Sequence, residues 1–309
     1  MLKVAIVFEP PAGQSAADIK DIEAQCHFLE KYLPYISTVR PYRGDKAAFL
    51  RSLEGAALAW NLFETFDGKE ELQHLGAELL ESVGLAYTGS KFSALKRASD
   101  KRKVKELLCS AGLPTPPIFS KASFTAGYWI VKPALLHGSV GITDASVVYA
   151  ETPADLETVS PGETFFAETY IDGDEYAVSL LDMGDGLKAL AVAQMRFIDY
   201  PEGKPKILNY DSKWAEESAD YKKSVRDFSV DSELAFELGK IAEAAASAIG
   251  LEGFARIDFR VDKATKPWII DVNPNPGLGE DAGFIAATRH AGLSVEKALG
   301  LIIQAALHK

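Results

Sequence analysis

Two short runs near the C-terminal end of the chain constrain its fold most strongly. Ala255 to Val261 and Trp268 to Val272 alternate polar and apolar residues, and a polar turn, 262–266, separates them. Alternation of this kind is typical of strands with one buried face, so the segment predicts an antiparallel hairpin. One face of the hairpin belongs to the core, and the other is available for chemistry.

The register of the hairpin decides which polar side chains meet. If the turn is centred just after Ala264, Asp258 lies opposite Asp271 and Arg256 lies opposite Asn273. These four polar side chains then share one face of the sheet, because alternate residues of a strand point to the same side. The same register assigns five apolar residues to the core face: Ala255, Ile257, Phe259, Ile270 and Val272.

Two facing aspartates are costly unless something offsets their charge. Directly opposed Cβ atoms lie roughly 5 Å apart, and two carboxylates at that separation repel by about 3 kcal/mol at an effective dielectric near 20. A shared proton or a divalent cation would offset this repulsion, and the oxygens of Asp258, Asp271 and Asn273 suit Mg²⁺. The alternative is a register slip that separates the aspartates on a solvated face.

The first 90 residues alternate between strand-like and helix-like patterns. Val4 to Phe8 and Ala56 to Phe63 are short apolar runs, whereas Asp18 to Leu33 and Lys69 to Val83 have apolar residues at helical spacing. Strands that alternate with helices favour a parallel sheet covered by helices. The pattern predicts a doubly wound N-terminal domain.

Composition and charge exclude several classes of function. The chain of 309 residues has 33 Lys and Arg against 44 Asp and Glu, a net charge of −11. A field of that sign repels phosphate backbones and anionic lipid, which argues against generic nucleic-acid or membrane binding. The sequence also has no apolar run of about 18 residues. These features predict a cytoplasmic protein with small-molecule partners, no nucleic acid and no membrane.

One stretch departs from the acidic average. Seven of the fifteen residues from Lys91 to Lys105 are Lys or Arg. Most such runs form a solvated helix face, and the alternative is a wall that faces phosphate groups.

Short motifs in a fixed order extend over most of the chain. The motifs are Tyr87-Thr88-Gly89-Ser90, Asp100-Lys101, Gly112-Leu113-Pro114-Thr115-Pro116, Ile130-Val131-Lys132-Pro133, Ser139-Val140-Gly141-Ile142, Glu168 to Glu175, Arg256-Ile257-Asp258 and Asp271-Val272-Asn273-Pro274. With these motifs in this order, the whole chain resembles the ATP-grasp ligases, and in particular the D-alanine–D-alanine ligases.

The resemblance implies a fold and a division of the chain. The expected fold class is α/β, an ATP-grasp fold in which a doubly wound parallel N-terminal domain precedes two α+β domains that enclose ATP. The expected domains are residues 1–90, a central ATP-binding unit at 91–170, and a C-terminal unit at 171–309 with the metal and substrate site.

The resemblance also implies which residues contact ATP. Two lysines would contact its phosphates beneath the glycine-bearing loop 137–141, and later residues would hold the adenine edge and the ribose. These residues are Lys101 and Lys132 for the phosphates, Ser139 in the loop, Glu168, Tyr170 and Ile171 for the adenine edge, and Glu175 for the ribose. The alternative for Lys132 is a strand-end lysine in solvent.

The chemistry implied by the resemblance is amide formation through an acyl phosphate. Asp258, Asp271 and Asn273 would bind Mg²⁺ or Mn²⁺, although the family normally has Glu where this chain has Asp271. Arg256 would stabilise the oxyanion, and Lys213 would reach the γ-phosphate from a second loop. The alternative function is an inactive nucleotide-binding sensor or scaffold, and the family also suggests a homodimer.

The substrate end departs from the family pattern. The glutamate that holds the first ammonium group has no secure counterpart in residues 9–18, and Gly138 replaces a loop serine. Glu280 and Asp281 stand where hydroxyl groups are expected, and they would either repel a substrate carboxylate or cap the next helix. The departures predict that D-alanine is a poor substrate.

Overall fold

The computed structural model describes residues 2–11, 16–159, 164–214 and 217–308. Its strands form three separate sheets. The strands are β1 (Lys3–Phe8), β2 (Ile36–Pro41), β3 (Leu58–Asn61), β4 (Gly127–Pro133), β5 (Val147–Ala150), β6 (Phe165–Thr169), β7 (Gly173–Asp182), β8 (Leu187–Phe197), β9 (Ser224–Asp227), β10 (Phe254–Asp262) and β11 (Pro267–Asn273).

The α-helices cover these sheets. They are α1 (Ala16–Tyr32), α2 (Lys46–Ser52), α3 (His74–Glu81), α4 (Phe92–Ala98), α5 (Lys101–Ser110), α6 (Pro153–Val159), α7 (Tyr210–Trp214), α8 (Ala219–Lys223), α9 (Ser232–Ile249), α10 (Gly283–His290) and α11 (Val295–Leu307). Among the described residues, no helix is both long enough and apolar enough to cross a membrane.

The N-terminal sheet is parallel, as the strand and helix alternation predicts. Its order is β2-β1-β3, and β1 pairs in parallel with both neighbours. Ile6 of β1 packs in one core cluster, and Val7 packs in another on the opposite face. Burial on both faces explains why β1 is a continuous apolar run. The predicted helix 69–83 is shorter in the structure, where a 3₁₀ turn at Glu70–Leu72 precedes α3.

The other two sheets are antiparallel. The smaller has the order β5-β4-β6, and the larger has the order β11-β10-β7-β8-β9. Helix α9 packs against the core face of the larger sheet, and it ends at Gly250, whose φ of 81° is left-handed. Glycine adopts that conformation without steric cost, which explains where α9 stops.

The three sheets lie within the three predicted sequence ranges, but two pairs of helices pack outside their own range. Helices α4 and α5, from the central range, contact α9 and the larger sheet. Helices α10 and α11, from the C-terminal range, close the core of the N-terminal sheet. The domain boundaries themselves stay a prediction.

Candidate active site

The facing aspartates of the hairpin have the predicted register. Asp258 pairs with Asp271, and Arg256 pairs with Asn273. Beyond this point the prediction is wrong by one residue, because a bulge follows Asp258 and Phe259 faces Ile269. Ile269 is therefore the core residue, at 1% exposed, whereas Ile270 lines the candidate site. A bulge adds one unpaired residue to a strand, which periodicity alone cannot detect.

Arg256 offsets the charge of one facing aspartate. Its Nε donates to Oδ1 of Asp258 at 2.8 Å, and its Nη2 donates to Oδ2 at 2.9 Å. The negative charge of Asp258 raises the pKa of Arg256, so the guanidinium stays charged. The sequence argument that only a proton or a cation could offset the two carboxylates is thus wrong, since an arginine two residues away on the same strand contributes.

The donor set still fits a hard divalent cation. Asp258, Asp271 and Asn273 supply carboxylate and amide oxygens, the ligands that Mg²⁺ prefers. The two bonds from Arg256 leave lone pairs on both oxygens of Asp258. Within the described residues, no group of three or more His, Cys, Asp or Glu side chains could hold a metal. A cation here would therefore rely on the amide of Asn273 and on ligands from outside the protein.

Glu168 lies between two buried lysines. Its Oε1 is 2.7 Å from Nζ of Lys132, and its Oε2 is 2.6 Å from Nζ of Lys105. Burial opposes the charge of Glu168, but the two lysines outweigh burial and hold the pKa of Glu168 below its ordinary value. Lys132 is 7% exposed, which excludes the solvated alternative. Sequence reasoning missed Lys105, although its helical spacing of four from Lys101 was a usable signal.

The basic stretch 91–105 divides into two groups. Lys101 and Lys105 are buried, whereas Lys91, Lys96 and Lys103 are exposed. Lys101 begins α5, and its Nζ donates to the carbonyl of Leu136. Burial lowers the pKa of Lys101, the nearby Lys132 lowers it further, and Asp271 opposes this change.

Arg260 is a second residue that sequence reasoning missed. It lies two residues beyond Asp258 on β10, and only 3% of it is exposed. Its Nη2 donates to Oε2 of Glu175 at 3.1 Å, and its Nη1 donates to the carbonyl of Ile171 at 2.9 Å. The guanidinium also lies 5.1 Å from the ring centre of Tyr170. Arg260 thus connects three predicted nucleotide contacts, and strand alternation from Arg256 could have found it.

The glycine-bearing loop 137–141 has three residues in the left-handed region. The φ angles are 64° for Gly138, 65° for Ser139 and 73° for Gly141. Oγ of Ser139 donates to the carbonyl of Leu208 at 2.7 Å, which ties this loop to the segment before α7. His137 was not predicted as a site residue. Its Nε2 is buried without a hydrogen-bond partner in the described part of the chain, and burial lowers its pKa to about 4.

These side chains surround one cleft that opens to solvent. The predicted site residues that line it are Lys101, Lys132, Ser139, Glu168, Tyr170, Ile171, Glu175, Asp258 and Asp271. Arg256 and Asn273 adjoin it through their pairing on β10 and β11. The side chain of Lys213 lies outside the described structure, so its role stays a prediction.

Glu280 does not face the cleft as a free carboxylate. Its Oε1 accepts hydrogen bonds from Nζ of Lys31 at 2.8 Å and from Oη of Tyr32 at 2.9 Å. Lys31, Arg289 and Tyr32 together lower the pKa of Glu280 to about 2. The capping alternative is also wrong, because the N-cap of α10 is Ala282, without a side-chain bond. The prediction that residues 9–18 lack an ammonium-holding glutamate falls partly outside the structure, because residues 12–15 are not among the described residues.

The chain matches known proteins along most of its length. Residues 79–304 match the family model described as the D-ala D-ala ligase C-terminus. The D-alanine–D-alanine ligase of Caulobacter sp. (strain K31) is 28% identical over 320 aligned residues, which cover 97% of this chain and 92% of that protein. The ligase of Ectopseudomonas mendocina (strain ymp) is 30% identical over 229 residues, 71% of this chain and 69% of that protein.

Solved structures of the same class superpose on the whole fold. The Bacillus anthracis D-alanine–D-alanine ligase complexed with ATP has a TM-score of 0.73 at 19% identity, and the superposition covers 100% of this chain and 98% of that ligase chain. The VanG D-Ala:D-Ser ligase of Enterococcus faecalis has a TM-score of 0.71 at 18% identity, with 98% of each chain covered.

The fold and the sequence matches define an ATP-grasp enzyme, an ATP-dependent ligase that forms ADP. Within that class, the chain belongs to the D-alanine–D-alanine ligase family. The predicted fold class and the predicted family are both confirmed.

Proposed function

We propose that this protein joins two amino-acid substrates through an amide bond and converts ATP to ADP and phosphate. The observation that supports this most directly is the polar row formed by Asp271, Asp258 and Arg256, next to a cleft lined by buried lysines. The row combines acceptors for a cation with a fixed guanidinium, and phosphoryl transfer to a carboxylate needs both.

At the nucleotide end, the lysines neutralise phosphate charge. Lys101 and Lys132 are both at least 90% buried, so their charges act in a site that excludes much of the water. Glu168 and Lys105 hold Lys132 in position. Arg260 positions Glu175, whose remaining lone pairs suit the ribose hydroxyls.

In the proposed reaction, an oxygen of the donor carboxylate attacks the γ-phosphorus of ATP. The bond from that phosphorus to the β,γ-bridging oxygen breaks, ADP leaves, and an acyl phosphate forms. The amine of the second substrate then attacks the acyl carbon. Arg256 stabilises the resulting oxyanion, inorganic phosphate leaves with the former carboxylate oxygen, and the amine loses a proton to give the amide.

Mg²⁺ or Mn²⁺ would be held by Asp258, Asp271 and Asn273, and it would neutralise phosphate oxygens during the transfer. The aspartate at 271 is one methylene shorter than the glutamate of the family pattern. Calorimetric titration with MgCl₂ in the presence of ATP measures whether one or two metal ions bind.

The test is phosphate release by the purified protein with ATP, MgCl₂ and a panel of amino acids, including glycine and both isomers of alanine and serine. Products are identified by mass spectrometry. Phosphate release that depends on an amino acid, together with a dipeptide product, supports the proposal. ATP binding by calorimetry without any product would favour the sensor or scaffold alternative.

We also propose that the enzyme works in the cytoplasm as a homodimer and binds neither nucleic acid nor membrane. The homodimer is supported only by resemblance to the family, and the acidic net charge supports the lack of nucleic-acid and lipid binding. Analytical ultracentrifugation tests the dimer, because a single species of 33.5 kDa would exclude it.

A further inference from the structure

A tight turn beyond β3 forms a short, anchored arm of the N-terminal unit. Phe66 and Lys69 exchange two backbone hydrogen bonds, of 3.0 and 3.2 Å, across this turn. The carboxylate of Glu9 accepts a further bond, of 3.0 Å, from the backbone N–H of Gly68. These bonds fix the backbone from which Glu70, the first residue of the following 3₁₀ turn, extends its side chain.

Glu70 joins this arm to the glycine-bearing loop. Its Oε2 accepts a hydrogen bond of 3.1 Å from the backbone N–H of His137, the first residue of that loop. The two residues are 67 positions apart in the chain, and Glu70 is partly buried where they meet. The arm therefore places a carboxylate from the N-terminal unit directly at the start of the loop.

The same carboxylate interacts with the charge of Lys101. Burial lowers the pKa of Lys101, and the carboxylates of Asp271 and Glu70 both oppose this change. Nζ of Lys101 donates to the carbonyl of Leu136, which directly precedes His137 in the chain. Lys101 and the start of the loop thus lie side by side, and Glu70 approaches both.

Both partners of Glu70 are groups that the proposed function assigns to the phosphates of ATP. Lys101 supplies a positive charge, and the backbone N–H groups of a loop with left-handed residues form a concave anion site. An ionised carboxylate, like a phosphate, has only acceptor oxygens and a negative charge. Glu70 and a phosphate group are therefore alternative anions for one positive region, and each repels the other there.

We propose that Glu70 competes with the phosphates of ATP for Lys101 and the glycine-bearing loop, and that this competition limits the affinity of the protein for the nucleotide. This inference rests on the nucleotide end of the proposed function. Binding of the phosphates displaces the carboxylate from the N–H of His137, and departure of the nucleotide allows it to return. Because the competitor belongs to the N-terminal unit, ATP affinity depends on that unit as well as on the cleft.

The test compares Glu70→Gln with the matched control Glu71→Gln. Calorimetry measures the Kd of each protein for ATP in the presence of MgCl₂ and, separately, for adenosine. Glutamine keeps an oxygen that accepts the bond from His137, so Glu70→Gln removes the charge and retains the acceptor. Glu71 is the next residue of the same 3₁₀ turn, so its substitution changes the net charge equally. Adenosine has no phosphate and reports the rest of the nucleotide site.

Glu70→Gln should bind ATP about 3- to 10-fold more tightly than the wild-type protein, because one partly buried like charge is removed. The gain should shrink as the KCl concentration rises, since salt screens the repulsion. The Kd for adenosine should not change, and neither should the Kd of Glu71→Gln for ATP. Glu70→Asp keeps the charge on a side chain one methylene shorter, so its Kd for ATP should lie between those of wild type and Glu70→Gln.

A Kd for ATP in Glu70→Gln that equals or exceeds the wild-type value would overturn the proposal. An equal gain for adenosine, or an equal gain in Glu71→Gln, would also overturn it, because the effect would then not concern phosphates at this residue. If Glu70→Gln does not fold, the same decision rests on whether Glu70→Asp binds ATP more tightly than wild type. Failure of the wild-type protein to bind ATP would instead overturn the proposed function, and this inference with it.

Discussion

Arg256 holds Asp258 by two parallel hydrogen bonds of 2.8 and 2.9 Å between residues two apart on one strand. The bonds fix the guanidinium beside the pair of facing aspartates before any substrate is present. A preorganised donor of this kind stabilises charge that develops during a reaction without further reorganisation.

Substitution of Arg256 should abolish most of the activity. Arg256→Lys keeps the positive charge but loses the two-pronged geometry, so the kcat for phosphate release should fall about 100-fold or more. ATP affinity should change little, because the residue does not line the nucleotide cleft. Arg256→Ala should also lower the free energy of unfolding by about 3 kcal/mol, since it leaves Asp258 without its partner. Activity within threefold of wild type in Arg256→Lys would exclude a role in catalysis.

Removal of the Lys132 charge should weaken ATP binding. The lost charge-assisted contact predicts a Kd for ATP about 10- to 100-fold higher in Lys132→Ala, measured by calorimetry. Glu168 keeps Lys105 as a partner, so the fold should remain intact by circular dichroism. Lys121→Ala is the matched control, because Lys121 forms an exposed ion pair with Glu157. An unchanged Kd in Lys132→Ala would show that Lys132 serves only to pair with Glu168.

Glu168 should make stability depend on pH in the acid range. Its pKa in the folded state is lower than its ordinary value of 4.5. Its contribution to stability is therefore present above pH 4.5 and is lost as the pH falls through the folded-state pKa. Urea unfolding from pH 7 to pH 3 should show a smaller loss of stability in Glu168→Gln than in wild type. Parallel curves for the two proteins would contradict a charged Glu168 in the fold.

Asp271 should govern the metal requirement. Asp271→Asn replaces an anionic ligand with a neutral one of the same size, so half-maximal activity should need about tenfold more MgCl₂. Excess EDTA should stop phosphate release by the wild-type protein. Asp185→Asn is the control, because Asp185 is exposed in the turn between β7 and β8. If Asp271→Asn has the same MgCl₂ dependence as the wild-type protein, Asp271 is not a ligand of the metal ion.

D-Alanine should be a poor substrate. The glutamate expected to hold an ammonium group has no secure counterpart, and Gly138 replaces the expected loop serine. Two such missing contacts predict a kcat/KM at least about 100-fold below that of the best amino acid in the panel. Glu280 no longer supports this prediction, because it is bound to Lys31, Tyr32 and Arg289. D-Alanine as the best substrate would show that other residues supply the contacts.

Much of the candidate site was predictable because it follows strand alternation. The pairing of Asp258 with Asp271 was predicted correctly, but the predicted turn centre was wrong. Next to the turn Val261 pairs with Pro267, so the turn is centred on Ala264, and the bulge restores the predicted pairing at Asp258. The bulge at Ile270 was not readable, since adding one residue leaves the local pattern apolar. Burial of Lys105 was also hidden, because composition makes a Lys-rich helix look like a solvated surface.

Long-range placement was the least predictable part. The contacts of Glu280 with Lys31 and Tyr32 join residues about 250 positions apart, and no local pattern encodes them. Arg226 is similar, because its Nη1 contacts the carbonyl of Asp281, which lies 55 positions further along the chain.

The most direct test of the ligase mechanism follows one oxygen atom. Each amino acid of the panel that stimulates phosphate release is supplied with ¹⁸O in its carboxylate, and the released phosphate is analysed by mass spectrometry. Attack of the carboxylate on the γ-phosphorus predicts that one ¹⁸O atom appears in the inorganic phosphate for each amide bond formed. Phosphate without ¹⁸O would contradict the account, because it would show that water, rather than the carboxylate, accepts the phosphoryl group.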